Sequence, residues 1–245
     1  MTHAELVAQL DAAADRLTTR VLAEMYVDPF WHARFAERAE RHGRQDGRFH
    51  IDYLIQAMHA ASPAIIENYA RWLQQVLTSR GMCTRHLDEN FERLAAAIAD
   101  EAWPDRATAV DLLTIARAAL RYPPGPAREI QRTAPALSGA MANEIYGHAE
   151  DVDPAERRYL AVDLVIYAAD AIALAQPAVF TRHVLWLAGF LDRRGTPGER
   201  LVHALHALTH AGTAIAPTAA EAVHGVVGPA LVALAALVAP VAYTP

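Results

Sequence analysis

The stretch that decides the fold is "DGRFHIDYLIQAMHAASPAIIENYARWLQQVLTSRG", residues 46–81, because the chain carries its pattern twice. Shifted by 114 residues (160 − 46), it aligns without a gap with "LAVDLVIYAADAIALAQPAVFTRHVLWLAGFLDRRG", residues 160–195. Identical residues recur at matched positions: Tyr53 with Tyr167, Pro63 with Pro177, Trp72 with Trp186, Leu77 with Leu191, Arg80 with Arg194 and Gly81 with Gly195. One ungapped register with these matches predicts a tandem duplication.

The correspondence continues on both sides of this stretch. "LAEMY" (22–26) matches "ANEIY" (142–146), and "ATAVDLLTIARAAL" (107–120) falls on "EAVHGVVGPALVAL" (221–234). The proline-rich "RYPPGPA" (121–127) is typical of a linker. The sequence therefore predicts two units, residues 1–122 and 123–245, that pack as an internal pseudo-dimer.

Apolar residues recur at helical spacing in nearly every segment, and no segment shows sustained alternation, so we predict an all-α fold. Asp28 and Pro29 are typical of a helix start. This helix is expected to run to about residue 42 and to stop at Gly43. The next helix is expected to begin near Asp46, and Pro63 opens the one after it.

Composition and charge exclude several classes of protein. The net charge is −6, the 22 basic residues are all arginine, and no basic block suggests a nucleic-acid surface. The single cysteine, Cys83, excludes an internal disulfide and suits a reducing cytoplasm. The N-terminus lacks the pattern of a signal peptide. The apolar C-terminal passage, residues 226–245, is interrupted by prolines and is expected to be a core helix and not a membrane anchor, so we expect a soluble cytoplasmic protein.

The segment from Asp46 resembles the chromophore-bearing region of phycobiliproteins, a globin-like all-α family. There, a Cys-x-Arg-Asp motif is followed by Leu-x-Tyr, which Asp46, Ile51 and Tyr53 match here. Ala57, Ala60 and Ala61 match the small positions before the turn. In the second copy, residues 195–198, "GTPG", are similar to the turn after the following helix. The resemblance implies two globin-like units and a tetrapyrrole ligand, of bilin or haem type.

The departures from the family motif matter as much as the matches. Gly43 stands at the place of the chromophore-attaching cysteine, which implies non-covalent binding. Gln45 replaces the motif arginine, with Arg44 beside it. In the second copy Leu160 replaces the aspartate, so that copy is not expected to hold a bilin through this carboxylate.

Four residues of the first copy are candidate ligand-binding residues: Arg44, Asp46, His50 and Tyr53. The last three share one helix face because they are spaced i, i+4 and i+7. A carboxylate at Asp46 could accept hydrogen bonds from pyrrole N–H groups, and His50 could coordinate haem iron or stack on a ring. Alternatively, Asp46 caps its helix and His50 is a hydrogen-bonded surface or core histidine.

Other polar residues allow further interpretations. Asp163, Tyr167 and Asp170 form one stripe on an apolar helix, so they could line a pocket or contact arginines of the first copy. Cys83 and His86 could form an activated thiol, although a lone cysteine is more often inert. Trp72 and Trp186 are expected in the core.

His203, His206 and His210 have the spacing that suits a transition metal. No neighbouring Asp or Glu completes a ligand set, and the apolar side of their helix lies roughly opposite. We therefore expect a solvated face here and no metal.

The function predicted from these features is non-covalent tetrapyrrole binding for sensing, storage or regulation. The alternatives are a protein-interaction scaffold with a vestigial pocket and a cofactor-independent helical enzyme acting on a small apolar substrate. The latter would use Asp46, His50 or the pair Asp163 and Asp170. A homo-oligomer or a partner protein is compatible with each, and enzymatic activity is not the expectation.

Overall fold

The computed structural model describes residues 3–35, 37–147, 149 and 151–238, and every regular element among them is a helix. The predicted all-α class is therefore confirmed. The chain divides into two compact units, and each is formed by two segments. The first unit comprises Met1–Val76 and Arg85–Arg121, and the second comprises Leu77–Thr84 and Tyr122–Pro245.

The first unit is built around the packing of two long helices. Its helices are α1 (His3–Met25), α2 (Pro29–Phe35), α3 (Glu37–His59), α4 (Pro63–Ser79), α5 (Thr84–Ala99) and α6 (Arg106–Ala119), of which the end of α4 and Thr84 belong to the second unit. Helix α3 packs along α1 and also contacts α2 and α6. The core consists of fully buried apolar side chains, among them Leu10, Leu17, Ile51, Leu54, Phe91 and Leu113. Each contributes about 1.5–3 kcal/mol through burial.

The second unit has a similar number of helices and one π-helical segment. Its elements are α7 (Pro126–Tyr146), α8 (Pro154–Arg157), a π-helix (Arg158–Asp163), α9 (Leu164–Ala173), α10 (Pro177–Asp192), α11 (Gly198–Ile215), a 3₁₀ turn (Pro217–Ala219) and α12 (Ala220–Val238). Helix α7 packs on α9 and α11, while α10 packs along α12. Helix α9 carries a buried run that includes Tyr167 and Asp170.

Asp-Pro pairs start two of the helices, as their chemistry predicts. Asp28 Oδ1 accepts a hydrogen bond of 3.0 Å from the backbone N–H of Phe30, at the start of α2. Asp153 Oδ1 accepts one of 2.9 Å from the N–H of Ala155, at the start of α8. In both helices proline occupies the first position, where no N–H is required.

Helix α3 is continuous through Gly43 and Gly47, so the predicted break between Gly43 and Asp46 is wrong. Both glycines serve the close approach of α1. A Cβ atom at Gly43 would lie 3.0 Å from Leu22 Cδ2, and one at Gly47 would lie 2.3 Å from Thr18 Cγ2. Packing of the two helices thus outweighs the helix-breaking tendency of glycine.

Gly47→Ala is expected to destabilise the protein by about 1–3 kcal/mol, because its new methyl group overlaps Thr18. The second substitution Thr18→Ala should recover most of this loss, since it removes the obstructing Cγ2 atom. Gly139→Ala is the matched control: Gly139 also lies inside a helix, with open space around it. It should raise stability by about 0.5–1 kcal/mol. Urea denaturation measures all three, and equal effects of the two glycine substitutions would contradict the close approach.

Local backbone geometry recurs at the 114-residue offset. Helices start at Pro63 and Pro177, at Thr84 and Gly198, and at Arg106 and Ala220, each pair separated by 114 (177 − 63, 198 − 84, 220 − 106). The turns before α4 and α10 both contain a left-handed alanine, Ala61 with φ 48° and Ala175 with φ 52°. Gly81 and Gly195 also match, with φ of 95° and 77°. The turns before Pro63 and Pro177 and the ends at Gly81 and Gly195 therefore have the same backbone geometry in both stretches, although residues 160–163 are π-helical and residues 46–49 are α-helical.

One helical stretch among the described residues, Pro217–Leu237, is long and apolar enough to cross a membrane by length and composition. Only 28% of its most apolar window is buried, and Val232 and Leu237 are exposed. Other residues of the stretch, among them Val223 and Val227, are buried. Residues 239–245 of the predicted core helix lie outside the described residues.

Candidate functional site

Three rings on α3 and α4 form an aromatic stack in the first unit. Tyr53 and Tyr69 lie nearly parallel, with ring centroids 4.0 Å apart and an interplanar angle of 16°. The centroid of Trp72 lies 6.2 Å from that of Tyr69, at an angle of 33°. Tyr69 and Trp72 are one helical turn apart on α4, so both can face Tyr53 on α3. We refer to Tyr53, Tyr69 and Trp72 as the aromatic stack.

The outer end of the aromatic stack is open to solvent. Trp72 is 55% exposed, so its predicted place in the core is wrong. Phe49, one turn before Tyr53 on α3, is also exposed. Trp72 and Phe49 are thus two exposed large apolar side chains in the first unit, and exposed apolar patches often bind a ligand or partner.

The buried side chain of His50 contacts the aromatic stack at Tyr69. Its Nδ1 atom is hydrogen-bonded to the Tyr69 hydroxyl at 2.7 Å, and its ring meets Phe91 edge-on at 5.1 Å. Burial lowers the pKa of His50 to about 4, so the imidazole is neutral at physiological pH. His50 thus fixes the position of Tyr69.

Asp46 adds a negative charge beside the aromatic stack. It is half-buried, on the same face of α3 as His50 and Tyr53. Burial raises the pKa of Tyr69, and the charge of Asp46 raises it further, so the two groups lie close enough to interact. Asp46 lies well inside α3 and does not cap a helix. Arg44 is exposed.

The space behind His50 is small. A void of about 10 Å³ is lined by Thr18, Val21, Leu22, Gly47, His50, Asn90 and Leu94. This volume corresponds to about one water molecule. The void therefore excludes a macrocycle on that side of His50. Gly43 also faces α1, near Leu22 and Tyr26, so its side of α3 has no room for an attached chromophore.

A larger groove lies on another face of the first unit. Its volume is about 420 Å³, and it is lined by Ala4, Val7, Ala8, Asp11, Asp52, Ile55, Gln56 and His59. Arg48 pairs with both Asp11 and Asp52, which neutralises the carboxylates of this groove. None of the predicted site residues lines it.

The second unit has a similar succession of three rings, here called its ring ladder, in which a histidine replaces the central tyrosine. Tyr167 stacks on His183 at 3.5 Å and 12°, and His183 lies 6.1 Å from Trp186. These residues match Tyr53, Tyr69 and Trp72 at the offset of 114 (183 − 69). Trp186 is half-buried because it also stacks on the ring of Phe190, at 5.1 Å.

At the positions that match Asp46 and His50, the second unit has Leu160 and Leu164, both fully buried. This version of the ladder therefore has neither the carboxylate nor the histidine of the first unit.

Asp170 on α9 is a fully buried carboxylate with three hydrogen-bond donors. Its Oδ2 atom accepts from the Thr84 backbone N–H, and its Oδ1 atom accepts from the hydroxyls of Thr84 and Tyr122, each at 2.7 Å. Thr84 is the first residue of α5, so Asp170 caps that helix. Burial raises the pKa of Asp170 to about 6, although the three donors oppose the shift.

These partners correct the predicted arginine contacts of the acidic stripe. The donors to Asp170 do lie within residues 1–122, but they are Thr84 and Tyr122. Asp163 is also buried, and its Oδ2 atom lies 4.0 Å from Arg158 Nε. These two residues bound the π-helix, whose bonds connect residues five apart. With an exposed fraction of 0% for Asp170 and 1% for Asp163, neither carboxylate can contact a substrate in this conformation.

Two further predicted groups have clear placements. Cys83 is buried and forms no disulfide within the chain. His203, His206 and His210 are exposed on α11, so the solvated face is confirmed. Glu144 on α7, however, lies 3.0 Å from His210, so a carboxylate does accompany these histidines.

Several residues of these sites gave no clear signal in the sequence. Tyr69 aligns with His183. Because the two residues differ, the identical pairs of the repeat do not include Tyr69. Glu144 is 66 residues from His210, and only the packing of α7 on α11 brings them together. Tyr122 lies in the proline-rich linker, whose composition suggests no buried role.

Comparisons with protein-family models, with curated proteins and with solved structures give no match for this chain. The chemistry of the described side chains is therefore the basis for assigning a function.

Proposed function

We propose that the protein is a tandem pair of globin-like units and that the first unit binds an open-chain tetrapyrrole, a biliverdin-type bilin, without a covalent bond. The duplication is supported by the matched turns and helix starts at one offset and by the two ring ladders. The binding site is the exposed end of the aromatic stack together with Asp46 and Arg44.

The observation that carries the proposal is an aromatic stack whose outer ring, Trp72, is exposed to solvent, with a carboxylate beside the stack. A conjugated tetrapyrrole has flat apolar faces that can stack on Trp72 and Tyr53. A bilin also carries pyrrole N–H groups, for which the Asp46 carboxylate is an acceptor. Arg44 supplies a cation for a propionate. The ligand would therefore be recognised by its flat face, its N–H donors and its acid groups.

The same geometry favours a bilin over haem. In haem the iron occupies the pyrrole nitrogens, so no N–H group remains for Asp46. His50, the candidate iron ligand, has its Nδ1 bound to Tyr69 and only a water-sized void beside it. In this proposal His50 is a positioning residue, because it holds Tyr69 and through it the stack.

Asp46→Asn is expected to weaken biliverdin binding by about 10- to 100-fold, because a charge-assisted hydrogen bond contributes about 1.5–3 kcal/mol. Trp72→Leu should weaken it by about 3- to 10-fold through loss of stacking. The measurement is titration of the purified protein with biliverdin, followed by absorbance and by induced circular dichroism of the bilin.

The chain offers matched controls. Asp52 lies on the same helix and is also half-buried, but it is paired with Arg48, so Asp52→Asn should leave binding unchanged. Trp186→Leu changes the matched tryptophan of the second unit and should also leave biliverdin binding unchanged. Leu160, which matches Asp46, is fully buried and therefore unsuitable, because its replacement would test folding. Equal effects of Asp46→Asn and Asp52→Asn would contradict the proposed site.

Attachment of the ligand is tested separately. Acid–urea treatment of the coloured protein should return the mass of the unmodified chain, since Gly43 offers no thiol and Cys83 is buried. A mass increased by one bilin and lost in Cys83→Ser would show covalent attachment.

The exposed Trp72 and Phe49 also favour a second candidate function, a docking surface for a partner protein. If biliverdin fails to bind at micromolar concentration, the interaction scaffold becomes the better explanation of the exposed rings.

A further inference from the structure

A carboxylate on α7 lies beside two of the three imidazoles on the exposed face of α11. Glu144 Oε1 is 3.0 Å from His210 Nδ1 and 3.9 Å from His203 Nε2. These histidines are seven residues apart, so they lie on one side of α11 about two turns from each other. One carboxylate oxygen therefore lies between two imidazoles.

His206 occupies the same face between the other two histidines. It is three residues from His203 and four from His210, and all three side chains are exposed. The i, i+4 spacing brings two imidazoles to one side of a helix within reach of a single ion. The face thus offers three nitrogen ligands and one oxygen ligand.

We propose that Glu144, His203, His206 and His210 form a binding site for one first-row divalent transition-metal ion, of which Zn²⁺ is the best match. Zn²⁺ is commonly bound by four ligands in tetrahedral geometry, and imidazole with carboxylate is a suitable set. Ni²⁺ and Cu²⁺ share the preference for imidazole, whereas Ca²⁺ and Mg²⁺ prefer oxygen ligands.

Two of the six ligand–ligand distances, both from Glu144, are close to those that an ion requires. Two ligand atoms, each about 2.1 Å from a tetrahedral ion, lie about 3.4 Å from each other. The Glu144–His210 and Glu144–His203 distances of 3.0 and 3.9 Å lie on either side of this value. No three of these four ligand atoms lie within 4.8 Å of one another, so the exposed imidazoles have to rotate toward the carboxylate to share one ion. The side chains of His210 and His203 are 67% and 48% exposed, so an ion can enter directly from solvent.

The experiment is zinc titration of the full chain by calorimetry, with competition against a chromogenic chelator. A Cys83→Ser background removes the single thiol, the other strong zinc ligand. In that background one zinc ion should bind per chain. Glu144→Gln should weaken binding about 10-fold, and the pair His206→Ala with His210→Ala by 100-fold or more.

Exposed histidines elsewhere provide the controls. His59→Ala and His224→Ala change single exposed histidines on α3 and α12 and should leave the affinity unchanged. All these positions are exposed and helical, so alanine preserves the fold, which far-ultraviolet circular dichroism checks. Unchanged stoichiometry and affinity in the double histidine variant would overturn the proposal. Loss of zinc binding in Cys83→Ser alone, or an equal loss in His224→Ala, would overturn it too.

Discussion

Replacing Asp170 by alanine is expected to lower the free energy of unfolding by about 3–5 kcal/mol. Alanine leaves three buried donors without an acceptor: the N–H and hydroxyl of Thr84 and the hydroxyl of Tyr122. Helix α5 also loses its cap. Chemical denaturation followed by circular dichroism measures the change, and the transition that reports the second unit should move most.

Gln56 is the matched control for this substitution, because it occupies the equivalent position in the first copy (170 − 114) and is exposed. Gln56→Ala should change stability by no more than about 0.5 kcal/mol. A loss below about 1 kcal/mol for Asp170→Ala would mean that water replaces the carboxylate in the interior.

The size of the Asp170 effect should depend on pH. Burial raises the folded-state pKa to about 6 from an ordinary value of 3.8, so between these values the folded protein binds more protons than the unfolded chain. The contribution of this group is therefore fully present below about pH 4 and is reduced as the pH rises through 6. The loss caused by Asp170→Ala should be larger at pH 4 than at pH 8, by about 2–3 kcal/mol.

Acidification is expected to destabilise the first unit by about 3 kcal/mol through His50 alone. The pKa of His50 is about 4 in the folded protein, against an ordinary value of 6.5. Between these values the unfolded chain binds more protons, so the stability from this group is lost as the pH falls from 6.5 to 4. Thermal unfolding across this range measures the loss.

His50→Leu isolates this contribution, since it gives the first copy the residue that the second has at its matched position, Leu164. The variant loses the hydrogen bond to Tyr69 and should be less stable at pH 7, by about 1–3 kcal/mol. Its stability should fall less steeply below pH 6.5 than that of the unaltered protein. If the stability of the two proteins fell equally with pH, the pKa of His50 would not be lowered in the folded protein.

The two titrations have opposite signs and belong to different units. As the pH falls, Asp170 increases the stability of the second unit, whereas His50 decreases the stability of the first. Between pH 4 and 6 the two effects partly cancel in the whole chain, and only the paired variants separate them.

Much of the fold was readable from the sequence because its signals are local. Asp28 and Pro29 start a helix as predicted, and the turns before Pro63 and after Arg80 lie where the aligned stretch places them. The predicted break at Gly43 was wrong because glycine can either end a helix or allow a neighbouring helix to approach closely. Here Gly43 and Gly47 allow a neighbouring helix to come close, and that role depends on a partner far away in the chain.

The sites were less predictable, because their geometry depends on which helices are neighbours. Helical spacing placed Asp46, His50 and Tyr53 on one face, and their interactions with Tyr69 follow from the packing of α3 on α4. The helical position of a tryptophan does not show whether its side chain is buried. Trp72 was expected in the core and is exposed. Glu144 became a neighbour of His210 only when α7 packed on α11.

The assignment of Leu77–Thr84 to the second unit has a consequence for the order of events during synthesis. Thr84 leaves the ribosome 86 residues ahead of Asp170, the carboxylate that holds it. At about 5–20 residues per second, this interval is roughly 4–17 s. Throughout that time the backbone N–H of Thr84 lacks its folded-state acceptor, while most of the first unit has already been made. The residues of the first unit are therefore complete before this segment can reach its final partners, which come only after α9 has emerged.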